Sequence, residues 1–231
     1  MPGSTKAALV IFARHPSGRV KTRLVPPLTP AQARGLHRAC LESTVRLAAS
    51  LPRAVDKFLY LTPASRRALQ GERVLRLPRA LRRRRQRGRD LGARLEAALR
   101  ELLGGGYRRV VFIGADSPTL PLPQLRQAFA ALEQGGAVIG PARDGGYYLI
   151  GLRTRPGEAP PIFRGITWGT ARAFQQTRAR LRRARRKTVL LPLWYDVDVP
   201  ADLERLRGDV ARSRAAHLAP LRAWLGRQKK D

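Results

Sequence analysis

Short apolar runs separated by amphipathic stretches make up most of the chain. Ala7 to Ala13 (AALVIFA), Lys57 to Thr62 (KFLYLT), Val110 to Ile113 (VVFI), Ala137 to Pro141 and Val189 to Leu193 are rich in β-branched, aromatic or aliphatic side chains. Runs of this kind, without strict alternation, predict strands buried on both faces of a mostly parallel sheet. After Thr29-Pro30, a cap followed by a first-turn proline, the positions Leu36, Ala39, Cys40, Ser43, Leu47 and Ala48 recur at helical spacing. A second helix starts at Asp90, continues through Leu91, Arg94, Leu95, Ala98 and Leu102, and stops at Gly104-Gly105-Gly106. Leu122 to Leu132 forms a third, and a short helix and weak strand are expected up to Arg73–Leu77. The alternation of strands and helices predicts an α/β fold, a three-layer α/β/α domain with a mainly parallel central sheet, over residues 1–206. Residues 207–231 read as a basic helical tail with an apolar stripe at Leu218, Leu221, Trp224 and Leu225.

Composition narrows the function classes. A chain of 231 residues, 43% hydrophobic, is long enough to bury a full core. No apolar run reaches the roughly 18 residues of a membrane span, and the N-terminus lacks the apolar core of a signal peptide, so a cytoplasmic location is expected. One cysteine, Cys40, excludes an internal disulfide framework, and the widely spaced His15, His37 and His217 do not suggest an imidazole metal site. The formal charge of +30 attracts polyanions. Nucleic acid is therefore a candidate partner through the basic surface, although a coding bias toward arginine would produce the same excess.

Candidate chemistry sits after the strands. Asp116, in Gly114-Ala115-Asp116-Ser117-Pro118, follows the central strand, the edge where open α/β sheets bind ligands. Gly114 and Ala115 are expected to leave room there, and a carboxylate at that point suits Mg²⁺ carrying substrate phosphates, unless it only caps a turn. The loop Arg14 to Leu24 carries Arg14, Arg19, Lys21 and Arg23, a cationic clamp for phosphates or a solvated turn. An arginine cluster at Leu81 to Arg85 reads as a solvated loop or an anion contact. It runs into Gln86, whose amide edge, with the nearby glycines, would meet a base and ribose. Asp144-Gly145-Gly146 signals a tight hairpin turn, and also bare backbone near a ligand. Tyr195 to Asp202 offers Asp196 and Asp198 on one face of an extended segment, both able to approach one cation. Asp202 falls in the first turn of a helix and reads as structural.

The motifs ARHPSGRVKTRL, QRGRDLGARL, FIGADSPTL, IGPARDGGYYLIGL, FRGITWGT and DVDVPADL, in this order, resemble a bacterial family described as glycosyltransferases or radical-SAM/selenodomain-associated transferases, formerly a domain of unknown function. The resemblance spans roughly residues 7–206. It implies the GT-A-like nucleotide-diphospho-sugar transferase fold and a divalent cation, Mg²⁺ or Mn²⁺, held by Asp116 and Asp198 with Asp196 as a competitor. It implies Arg19, Lys21 and Arg23, alongside Arg14, around nucleotide phosphates; the Gln86, Gly92 and Arg94 segment near the base; and Asp144, Gly145 and Gly146, with Tyr147 and Trp168, near the acceptor. Val199 stands where the family often has threonine. The activity expected is metal-dependent transfer from a nucleotide-activated donor, with Asp116, Lys21, Arg23 and Asp144 in catalytic roles. Glycosyl transfer from an NDP-sugar and nucleotidyl transfer from an NTP to a small phosphorylated acceptor both fit. The alternative is a basic nucleic-acid-binding protein on an inactive transferase scaffold.

Overall fold

The computed structural model describes residues 6–63, 78 and 80–228. The helix and strand expected up to Arg73–Leu77 lie outside them. The described strands are β1 (Ala7–Ala13), β2 (Val55–Leu61), β3 (Leu81–Arg85), β4 (Arg109–Gly114), β5 (Ala137–Pro141), β6 (Tyr147–Arg153) and β7 (Thr188–Leu190). They form one sheet in the order β3-β2-β1-β4-β6-β5-β7. All neighbours are parallel except β6, which runs antiparallel to β4 and β5. The helices are α1 (Pro30–Ala49), α2 (Leu91–Gly104), α3 (Leu122–Glu133), α4 (Ala173–Arg183), α5 (Pro200–Arg212) and α6 (Ala219–Arg227), with 3-10 turns at Thr22–Leu24 and Ala216–Leu218.

Two apolar cores explain why the strands read as unbroken apolar runs. Leu9, Ile11, Leu59, Val111 and Ile113 pack against Leu41, Val45 and Leu47 of α1 and Leu125, Phe129 and Leu132 of α3. The alternate positions Ala8, Val10, Phe58, Tyr60, Val110 and Phe112 meet Leu95, Leu99 and Leu102 of α2 and Leu181 of α4. Period-two alternation sends successive side chains to opposite faces, and both faces are covered.

Local chemistry sets the helix starts as the sequence predicts. Thr29 Oγ1 accepts from Gln32 N at 3.2 Å while Gln32 Oε1 accepts from Thr29 N at 2.8 Å, a full capping box with Pro30 in the first turn. Asp90 accepts from Ala93 N at 2.8 Å at the start of α2.

One expectation is corrected. The arginine cluster is no loop: Leu81 to Arg85 is an edge strand paired with β2, with Leu81 buried and the four arginines exposed. Arg82 and Arg84 spread over the Phe58 ring, 5.6 and 6.0 Å from its centroid, and a charged edge of this kind resists pairing with another chain.

A third apolar cluster joins the C-terminal helices to the domain. Leu36, Ala39 and Cys40 on the outer side of α1 meet Leu203, Leu206 and Val210 of α5 and Leu221 and Trp224 of α6. Position 206/207 lies within α5, so the helix that begins at Pro200 runs on without a break.

The chain adds β2 and β3 on one side of β1 and then returns to place β4 on the other. This reversal is a topological switch point, and the loops after β1 and β4 diverge there to leave a crevice.

Candidate active site

The crevice is a cavity of about 640 Å³ at the C-terminal ends of β1 and β4. On one side the loop after β1 contributes Arg14, His15, Ser17 and Arg19. Gln86 and Arg94 line the β2–β3 side, and Asp144, Gly146, Tyr147 and Trp168 form the opposite wall. Gly114, Asp116 and Asp196 also line it, whereas Ala115 is turned into the core.

Three backbone contacts deliver the acidic segment. Trp194 N donates to Pro141 O at 3.1 Å, Arg143 N donates to Trp194 O at 3.1 Å, and Val197 N donates to Asp116 O at 2.8 Å. The stretch after β7 therefore crosses the ends of β5 and β4 and brings Asp196 and Asp198 to Asp116. Asp202 Oδ2 accepts from the backbone N of both Asp198 and Val199 at 3.0 Å, which fixes the turn into α5 and bears out the structural reading of Asp202.

Asp116 and Asp198 meet on one ammonium. Lys21 Nζ donates to Val197 O at 2.6 Å and to Asp198 Oδ1 at 3.2 Å, and forms a close ion pair with Asp116 Oδ1. Burial alone would lower the Lys21 pKa, but the two carboxylates reverse this and hold it above the ordinary lysine range. Burial likewise opposes the charge on Asp116, and the Lys21 ammonium, then His37, keeps that carboxyl below the usual carboxylate range. Arg23 Nη2 lies 3.7 Å from Asp198 Oδ2.

Asp196 stands apart from this pair. Its carboxylate accepts a close hydrogen bond from the Ser117 hydroxyl. Burial and then the charge of Asp116 push its pKa up to about 7.

The donor chemistry fits a hard divalent cation shared with substrate. Mg²⁺ is commonly bound by one or two carboxylates plus phosphate and water oxygens, and Asp116 and Asp198 provide such a pair. Among the described residues, no group of three His, Cys, Asp or Glu side chains forms a protein-only cage. The Lys21 ammonium lies where the two carboxylates converge.

Five residues expected at the ligand do not line the cavity, Asp198 among them. Lys21 is buried beneath it, and Arg23 points to solvent beside Asp198. Gly92 packs under the wall: a Cβ there would lie 2.5 Å from Phe163 O and 2.7 Å from Trp168 Nε1. Gly145 holds the hairpin turn at φ 84, where a side chain would also collide with Ala171. Asp144-Gly145-Gly146 is thus both a hairpin turn and part of the cleft wall, because Asp144 Oδ1 accepts from Gly146 N at 2.9 Å while its side chain faces the cavity.

A family model described as an uncharacterized protein conserved in bacteria (DUF2064) matches residues 44–170. A solved structure from Desulfovibrio desulfuricans G20, provisionally described as a nucleotide-diphospho-sugar transferase, is 33% identical, with a TM-score of 0.82 and 95% of each chain covered. The chain belongs to the DUF2064 family.

This DUF2064 protein has the nucleotide-diphospho-sugar transferase fold, as the motif resemblance implied. A cytidylyltransferase from Leptospira borgpetersenii serovar Hardjo-bovis superimposes with a TM-score of 0.56 at 12% identity, covering 98% of this chain and 95% of the other. A CMP:2-keto-3-deoxy-manno-octonic acid synthetase complexed with CTP gives 0.55 at 14% identity, covering 90% and 99%. No curated protein matches the chain. No helix among the described residues is long and apolar enough to cross a membrane.

Sequence reasoning missed two histidines. His15 lines the cleft with Nδ1 2.7 Å from Ser17 Oγ, and His37 reaches from α1 to within 3.1 Å of the Arg14 carbonyl. His15 stands inside the basic loop, a signal that was available. His37 reads as an ordinary core position of α1, and only the folded loop shows that it braces Arg14.

Proposed function

We propose that the protein is a transferase using a nucleotide-activated donor, with the donor phosphates over Asp116 and Asp198. The observation that carries this reading is the convergence of those two carboxylates beside a cavity with cationic side chains along one flank. A divalent cation there would neutralise charge developing on the diphosphate leaving group. Arg14 and Arg19 would pair with phosphate oxygens.

Gln86 would meet the base from a rigid position. Its Nε2 donates to Ala13 O and Tyr60 O, both at 2.9 Å, so its carbonyl oxygen is the polar atom it has left to offer. Arg94, whose Nε donates to Gly88 O at 3.0 Å, stands beside it. Across the cleft, Tyr147 and Trp168 pack edge to face, with centroids 6.1 Å apart, and would form an acceptor wall with Asp144 and the Gly146 backbone.

Both donor classes place a diphosphate leaving group at the same carboxylates. A panel of NTPs with phosphorylated acceptors, and of NDP-sugars, separates them: pyrophosphate release marks nucleotidyl transfer, and free NDP marks glycosyl transfer. Asp116→Asn should reduce turnover by on the order of 10²- to 10³-fold while the fold survives. Unchanged metal-dependent turnover in that variant would remove Asp116 from the chemistry, and failure of every donor would overturn the reading.

A further inference from the structure

An ammonium has three protons to donate, and in this protein each of those on Lys21 has a protein acceptor: the carboxylates of Asp116 and Asp198 and the carbonyl of Val197. The side chain is 3% exposed, so these protein atoms, rather than water, satisfy it. Lys21 therefore has no proton free for a phosphate where it now lies. Two carboxylates beside one buried ammonium are balanced except for a single negative charge, which Arg23 approaches from outside at 3.7 Å. A divalent cation added to this set would be repelled by both cations and would find two of its oxygen ligands already in use.

The backbone is also committed to this arrangement. Lys21 has φ 52, a left-handed conformation that non-glycine residues seldom adopt. The 3-10 turn that follows locks it, with Leu24 N donating to Lys21 O at 3.0 Å and Leu24 fully buried. Strained backbone held by its surroundings is characteristic of functional positions.

We propose that Lys21 is the resident counter-cation of the Asp116–Asp198 pair, and that a divalent cation binds there by displacing its ammonium. The inference rests on the reading that these carboxylates take a divalent cation. Its consequence is that the free protein binds the metal weakly. The exchange also releases an ammonium, on a flexible four-carbon stem, to phosphates arriving with the cation.

Mn²⁺ titration of the full chain, with free Mn²⁺ read by electron paramagnetic resonance, tests this against Lys21→Met, which keeps most of the stem and removes the charge. Lys21→Met should bind one Mn²⁺ at least tenfold more tightly than wild type. Lys21→Arg should stay as weak as wild type, and adding Asp198→Asn to Lys21→Met should abolish the gain. A second measurement needs no variant: reductive methylation of wild type, read by mass spectrometry, should label Lys21 slowly without metal and several-fold faster in saturating Mg²⁺. Equal or weaker Mn²⁺ binding by folded Lys21→Met, or Lys21 labelling unmoved by Mg²⁺, overturns the exchange. If Asp116→Asn still abolishes Mn²⁺ binding in that case, the carboxylate site stands without it. No Mn²⁺ or Mg²⁺ binding by any form overturns both the exchange and the metal reading.

Discussion

A Cβ on Gly92 would lie 2.5 Å from the Phe163 carbonyl oxygen, a backbone atom that cannot swing aside. Phe163 is buried in the α2–α4 core and packs against Trp168, with ring centroids 6.5 Å apart, so the space at Gly92 lets α2 approach the wall of the cleft. Gly92→Ala should therefore destabilise the protein by about 1–3 kcal/mol, the usual cost of overpacking a well-packed site. Urea unfolding midpoints measure this, and a midpoint equal to wild type would show that the Phe163 segment moves freely. The carboxylates act at the same scale. Asp116 and Asp198, which stand 82 residues apart in sequence, share one ammonium.

At the scale of elements, α1 is the helix on which the molecule turns. Its inner side covers the sheet and its outer side receives α5 and α6. Gly35 makes the second contact close: a Cβ there would stand 2.8 Å from Trp224 Nε1. Trp224 is 2% exposed, so Trp224→Ala should cost about 3–5 kcal/mol, as large-to-small core substitutions do. Thermal and urea unfolding followed together would check it. A loss below about 1 kcal/mol would show that α6 contributes little to the fold. The effect should also reach the site, because Tyr195 and Val197, on the segment that carries Asp196 and Asp198, belong to the same apolar cluster as Trp224.

For the whole molecule, 46 Lys and Arg against 16 Asp and Glu create a strongly positive field. Such a field speeds the arrival of anions and is screened by salt, since the Debye length shortens from about 30 Å at 0.01 M to about 8 Å at 0.15 M. Association rates for a nucleotide donor, measured by stopped flow, should fall by about tenfold or more over that range, with dissociation changing much less. A rate independent of salt would confine the relevant charge to the few groups lining the cleft. The layers of the fold and most strands and helices were legible in the sequence because they depend on local periodicity and capping: AALVIFA, VVFI, Thr29-Pro30 and Asp90 carry their instructions within a few residues. The chemical types at the cleft were legible for a similar reason, since acids, arginines and glycines cluster after predicted strands. Tertiary structure alone decided the partners. Leu81 to Arg85 became a strand because β2 offers an unpaired edge, which no property of an arginine run announces. Lys21 meets the carboxylates because the loop after β1 folds across a segment 176 residues away in the chain. The strength of an ion pair depends on distance and burial, and neither is written in the order of residues.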